Sequence, residues 1–197
     1  MTQQDKWNQR FENATEPGPA AMVVSNNLHL LPARGRSLDL ACGIAGNGLL
    51  LAQHSLDSCL WDISSVALQR QQNWASERQL PVTVLQRDCE AEPPEVASFD
   101  VICVAHFLHR PLCEHLSAAL KPGGLLFYQT FCANKLDPIG PSSPEFLLGE
   151  GELPHLFPGL HVRFYREDGR CGDLDEGERN RALMVAEKPV AGSIRTS

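Results

Sequence analysis

The chain has 197 residues, 43% of them hydrophobic and 21% charged, the balance of an ordinary globular domain long enough to bury its own core. Its formal net charge of −7 disfavours a nucleic-acid partner, which needs a basic face, and no apolar run reaches the length of a membrane span. The polar start MTQQDKWNQR is no secretory signal, so a cytoplasmic protein without membrane partners is expected.

In chain order, residues 5–11 (DKWNQRF) predict a short helix with Trp7 and Phe11 on one side. Glu16-Pro17-Gly18-Pro19 breaks it, and residues 20–31 predict a second helix ended by Pro32. This leader, 1–34, forms a helical cap that either folds over the mouth of a ligand pocket or simply covers a sheet.

Residues 37–41 are an apolar run interrupted by Asp39, and they lead into a turn crowded with Gly43, Gly46 and Gly48 before Leu49, Leu50 and Leu51 resume. That pattern predicts strand, tight turn and helix. Glycine there lets the backbone turn sharply and lets a ligand approach, while the new helix points free N–H groups at it. An ordinary strand-to-helix turn is the plainer alternative. Charge narrows the ligand: a dinucleotide pyrophosphate would be opposed by Asp39, whereas S-adenosylmethionine carries no phosphate and is cationic at its amino group and sulfonium. The glycine register also departs from G-x-G-x-x-G, and no Gly-Lys-Ser/Thr follows.

Residues 58–63 (SCLWDI) predict a second strand ending near Asp62, 19 residues beyond Gly43, where a carboxylate suits both hydroxyls of a ribose. Ser64 and Ser65 offer a cap for a helix over 66–79, and 82–86 is a third strand that stops at Arg87-Asp88-Cys89. Asp88 there either takes an adenine amino group or caps a turn. Residues 99–104 (FDVICV) predict a strand buried on both faces, followed by Ala105-His106-Phe107-Leu108-His109-Arg110-Pro111. A helix over 112–120, a Lys121-Pro122-Gly123-Gly124 turn and a strand over 125–131 complete the alternation. The expected fold is α/β, a doubly wound and mostly parallel seven-stranded sheet. Gly43, Asp62, Asp88, His106 and Thr130 converge at the carboxyl ends of its strands.

Further on, 151–157 predicts a short helix, and strands over 161–166 and 182–187 are joined by a link too polar for a crossover helix. They are expected as an antiparallel hairpin at the sheet edge. The whole reads as one domain over 1–190 with a flexible tail over 191–197. Seven cysteines, at 42, 59, 89, 103, 113, 132 and 171, show no C-x-x-C and no histidine at ligand-like spacing. Most fall in apolar stretches, so buried free thiols are expected and no metal site.

The order L-D-x-A-C-G, W-D-I-S, R-D-C-E, F-D-V-I, K-P-G-G, Y-Q-T-F resembles the class I S-adenosylmethionine-dependent methyltransferases over residues 5–188. H-F-L-H-R-P-L followed by F-L-L-G-E-G-E-L resembles their small bacterial branch similar to tellurite-resistance methyltransferases. The resemblance implies that Asp39, Ala41 and Gly43 face the methionine part, Asp62 the ribose, Ile63 the adenine ring, and Asp88 with the Cys89 amide the adenine edge. Ala105 and His106 lie beside the sulfonium, and a W-x-x-R-aromatic element, here Trp7, Arg10 and Phe11, helps close the pocket. Ala41 and Ala45 stand where the family often has glycine.

The expected reaction is in-line transfer of the methyl group to a small-molecule acceptor, leaving S-adenosylhomocysteine, with a general base needed only when the acceptor starts protonated. His106, His109 and Arg110 are the acceptor-side candidates, with Tyr128, Arg166 and Arg181 behind them; arginines suit an oxyanion such as tellurite or selenite. Alternatively, His109 and Arg110 open a helix and pair with nearby acids. Two rivals remain: a binding protein that keeps the pocket without catalysis, and a nicotinamide-dependent oxidoreductase, which Asp39 and the glycine register disfavour.

Overall fold

The computed structural model describes residues 1–190; the tail expected over 191–197 lies outside them. Seven strands form one sheet in the order β3-β2-β1-β4-β5-β7-β6. Strands β1 (Gly35–Leu40), β2 (Leu56–Asp62), β3 (Val82–Gln86), β4 (Phe99–Ala105) and β5 (Leu120–Phe131) run parallel. β7 (Arg181–Glu187) inserts antiparallel between β5 and β6 (His161–Arg166), so the terminal hairpin closes that edge. The chain winds outward from β1 in one direction and then, from β4, in the other, which leaves a crevice at the carboxyl ends of β1 and β4.

The central strands are apolar without alternation because helices cover both faces. In β4, Ile102 and Val104 join the core beneath α5 (Leu112–Ala119), while Val101 and Cys103 join the opposite core with Val23, Val24 and Leu51. α3 (Asn47–Gln53) packs so tightly on β2 that a Cβ on Gly48 would lie 2.5 Å from Leu60 Cδ1. α4 (Ser65–Glu77) is capped by Ser64, whose hydroxyl accepts from Ala67 N–H. Six of the seven cysteines are buried free thiols, and Cys171 is exposed. No helix among the described residues is long and apolar enough to cross a membrane.

Two local expectations are corrected. The helix expected over 20–31 is instead α2 (Met22–Ser25) and a separate turn of 3-10 helix, Leu28–Leu30. Buried Asn27 breaks the run: its side chain donates to the Val23 carbonyl at 3.0 Å, competing with the backbone ladder. The Lys121-Pro122-Gly123-Gly124 turn is a bulge inside β5, between the pairs Phe99↔Leu120 and Val101↔Leu125. Lys121 Nζ closes it on Asp100 at 2.7 Å.

Candidate cofactor site

The turn after β1 is built by long-range contacts as well as by its glycines. Gly43 takes φ +51°, which glycine adopts freely, but Ala41 takes φ +53°, a conformation that costs an L side chain about 1 kcal/mol. From α4, buried Gln71 donates to the carbonyls of Gly43 at 3.2 Å and Ala45 at 2.8 Å and pins the turn from behind. Asp39 lies wholly buried beneath the turn, where its carboxylate accepts from Gly48 N–H at 3.0 Å and Asn47 Nδ2 at 3.4 Å. Burial pushes its pKa up to about 7 against the pull of those two hydrogen bonds. Through these two bonds Asp39 supports the turn from below.

At the end of β2, Asp62 reaches across to the turn. One oxygen accepts Gly43 N–H at 2.8 Å and the other Ser64 N–H at 2.7 Å, which leaves each oxygen a further lone pair. Burial raises its pKa above the usual carboxylate value, the Ser64 and Gly43 amides opposing. Ile63 is half-buried beside it. After β3, exposed Asp88 accepts Glu90 N–H at 3.0 Å, the turn-capping alternative. Cys89 is buried against the Ala41 amide, its thiol pushed up to about 12 by burial. These donors and acceptors fit an adenosyl group: a buried carboxylate with lone pairs to spare, a half-buried apolar side chain at Ile63 and a turn at Gly43 without a Cβ.

The leader divides the two roles considered for it. α1 (Gln3–Phe11) lies over the turn: Phe11 Cζ comes within 3.1 Å of where a Gly43 Cβ would be, and Trp7 stacks on Phe11 at 5.7 Å. Asn8 ties this helix to Ser64 Oγ at 2.8 Å, and exposed Arg10 lies over Trp7 at 5.6 Å. The following segment covers the sheet: Gly18 N–H donates to Ile44 C=O at 2.8 Å, and Ala21 N–H to Asn47 Oδ1 at 2.7 Å.

On the acceptor side the candidates separate. Ala105 ends β4, and exposed His106 follows at φ +59° with its ring 5.2 Å from Phe131. Arg181 lies 5.1 Å from the same Phe131 ring and pairs with Glu178 at 2.8 Å. Arg166 pairs with Asp168 at 2.6 Å. Tyr128 is a core residue whose hydroxyl donates to Phe107 C=O at 2.9 Å. His109 lies 3.6 Å from Glu90.

Arg110 spends four of its five N–H groups on Glu152, Glu145 C=O and Leu147 C=O, so it clamps the segment around α6 (Glu152–His155) to the start of α5. That contact holds Glu152 below the usual carboxylate range. Arg110→Ala is therefore expected to lower stability by about 1 to 2 kcal/mol in urea unfolding. An unchanged midpoint would show that the clamp is not structural.

Asn47, Gln71 and Gln129 shape the site and are missing from the sequence reading. Asn47 and Gln129 are lone amides in apolar surroundings, a faint local signal, whereas Gln71 stands among Gln69, Gln72 and Asn73 and gives none.

Comparison with known proteins agrees with this geometry. Residues 38–124 match a family model described as a methyltransferase domain. The ubiquinone biosynthesis O-methyltransferase of Coxiella burnetii is 31% identical over 105 residues, 49% of this chain and 44% of its own length. The chain thus spans less than half the length of the curated relatives it matches. The solved structure of TehB from Haemophilus influenzae superposes with a TM-score of 0.68 at 19% identity, over 94% of this chain and 66% of that one. A SAM-dependent methyltransferase from Aquifex aeolicus gives 0.64 at 17% identity, over 95% and 99% of the two chains.

Proposed function

We propose, for a chain that carries the domain and the fold of the class I S-adenosylmethionine-dependent methyltransferases, that it transfers a methyl group from that cofactor to a small-molecule acceptor. The observation that carries this reading is Asp62, placed at the end of β2 and bonded to the Gly43 amide at 2.8 Å. A carboxylate so held meets a ribose, and the turn it braces meets the methionine end.

In this reading Asp62 holds the ribose hydroxyls, Ile63 and the backbone at Cys89 flank the adenine, and Gly43 admits the methionine portion. Asp39 acts indirectly, by fixing Asn47 and Gly48 behind the turn. Trp7 and Phe11 close the crevice from α1, which carries no buried residue of its own and can lift without breaking the core. When bound, the cofactor supplies a methyl group on a cationic sulfur, already reactive toward an electron-rich atom. The residues around it then position the acceptor and exclude water. Ala105 and His106 form the acceptor wall.

An oxyanion such as tellurite or selenite is the narrower form of the proposal. It requires one of Arg110, Arg166 and Arg181 to leave its acid, since each has one. A hydroxylated acceptor is the other class to try, because the Coxiella relative is named as an O-methyltransferase.

The test combines calorimetry with S-adenosylmethionine and a screen for S-adenosylhomocysteine release across oxyanions, thiols, phenols and small amines. Binding and release with at least one acceptor are expected. Absence of cofactor binding would overturn the proposal. Tight binding with silence toward every acceptor would favour a non-catalytic binding protein, the reading that strained Ala41 keeps in view.

A further inference from the structure

Gln129 stands inside β5, in the apolar run 125–131, with 2% of its surface exposed. Its carboxamide is held at both ends. Oε1 accepts the Val23 N–H at 3.0 Å, and a backbone amide is a donor under all conditions, so the orientation of the side chain is determined. The end that lies 3.3 Å from His106 Nε2 is therefore the NH2 group. An amide NH2 only donates, so this ring nitrogen must accept and carry no proton. The same residue also holds the histidine backbone, since His106 N–H donates to Gln129 C=O at 2.8 Å.

We propose that Gln129 is a positioning residue that locks His106 in the neutral tautomer with its proton on Nδ1, so that the imidazole serves the acceptor wall as a hydrogen-bond donor and not as a general base. The charged groups near the ring agree with a neutral imidazole. Partial desolvation of the ring and the Arg181 guanidinium lower its pKa below the usual value, with Glu178 opposing, and Phe131 adds an apolar face. With Nε2 engaged and Nδ1 protonated, the ring has no free lone pair with which to take a proton. The acceptor class follows: its attacking atom arrives unprotonated, as an oxyanion, a thiolate, a phenolate or an amine with a free lone pair. This last step rests on the methyltransferase reading, whereas the tautomer does not.

The decisive measurement is a long-range proton–nitrogen correlation of the imidazoles in full-length protein labelled with 15N-histidine, the His106 signals identified by their loss in His106→Asn. Expected at neutral pH is a protonated Nδ1 and an unprotonated Nε2. A proton on Nε2, or the averaged signals of two exchanging tautomers, would overturn the proposal. In Gln129→Glu the new carboxylate accepts from Nε2, so the proton should move there and the ring should titrate at higher pH. Should that variant fail to fold, the wild-type spectrum decides alone.

Kinetics then test the acceptor class. Across a series of thiols or phenols, the pH at which turnover rises should follow each acceptor's own pKa, and a rise fixed at the His106 pKa would refute the donor role. The expected tautomer together with silence toward every acceptor would remove the transfer reading and leave the role of Gln129 standing.

Discussion

Replacing Asp62 by alanine is expected to weaken S-adenosylmethionine binding by on the order of 1.5 to 3 kcal/mol, about 10- to 160-fold, the worth of a charge-assisted hydrogen-bond pair. The loss has two sources that calorimetry on two variants can separate. Alanine removes the ribose partner, and it also frees Gly43 N–H and Ser64 N–H, the two amides that Asp62 ties together. Asp62→Asn keeps an oxygen for one amide and sets an NH2 against the other, so it should disturb the turn while retaining part of the sugar contact. An affinity order of wild type, then Asn, then Ala is expected. Unchanged affinity in a folded Asp62→Ala protein would mean that the sugar is held elsewhere, and the proposed function would lose the observation that carries it.

The central strands were legible because their burial is two-sided. Phe99 through Val104 has almost no polar position, and no amphipathic helix can be written that way. Asp62 was legible for a similar reason, since it ends an apolar run at a fixed interval after a glycine turn. What escaped depends on partners far along the chain. Glu152 is 42 residues from Arg110, and only their contact shows that Arg110 clamps a loop to the start of α5. Gln129 meets Val23 across 106 residues. Asn27 looks like a helix residue until its burial aims the side chain at Val23 C=O. Asp39 lies near the end of β1 as expected, but strand position alone does not say that its side chain bonds Asn47 and Gly48 beneath the loop.

That buried position makes Asp39 the source of a pH effect on stability. Its folded pKa is raised from an ordinary 3.8 to about 7 by burial. Between those values the folded protein holds a proton that the unfolded chain has lost, so stability falls as pH rises through that window and is flat above it. The full span corresponds to roughly 4 kcal/mol at about 1.4 kcal/mol per pH unit. Glu152 and Asp168 act in the opposite sense, because their arginine partners hold them below the usual range and their contribution is lost only in acid. A difference measurement therefore isolates Asp39. In Asp39→Asn the amide oxygen still accepts Gly48 N–H, while its NH2 confronts Asn47 Nδ2, a mismatch that does not vary with pH. Urea unfolding from pH 5 to 8.5 should show wild type losing ground to the variant up to about pH 7, with a constant gap beyond. Parallel curves over the whole range would show that Asp39 stays ionised in the fold, and that the turn it supports is braced by a charge and not by a shared proton.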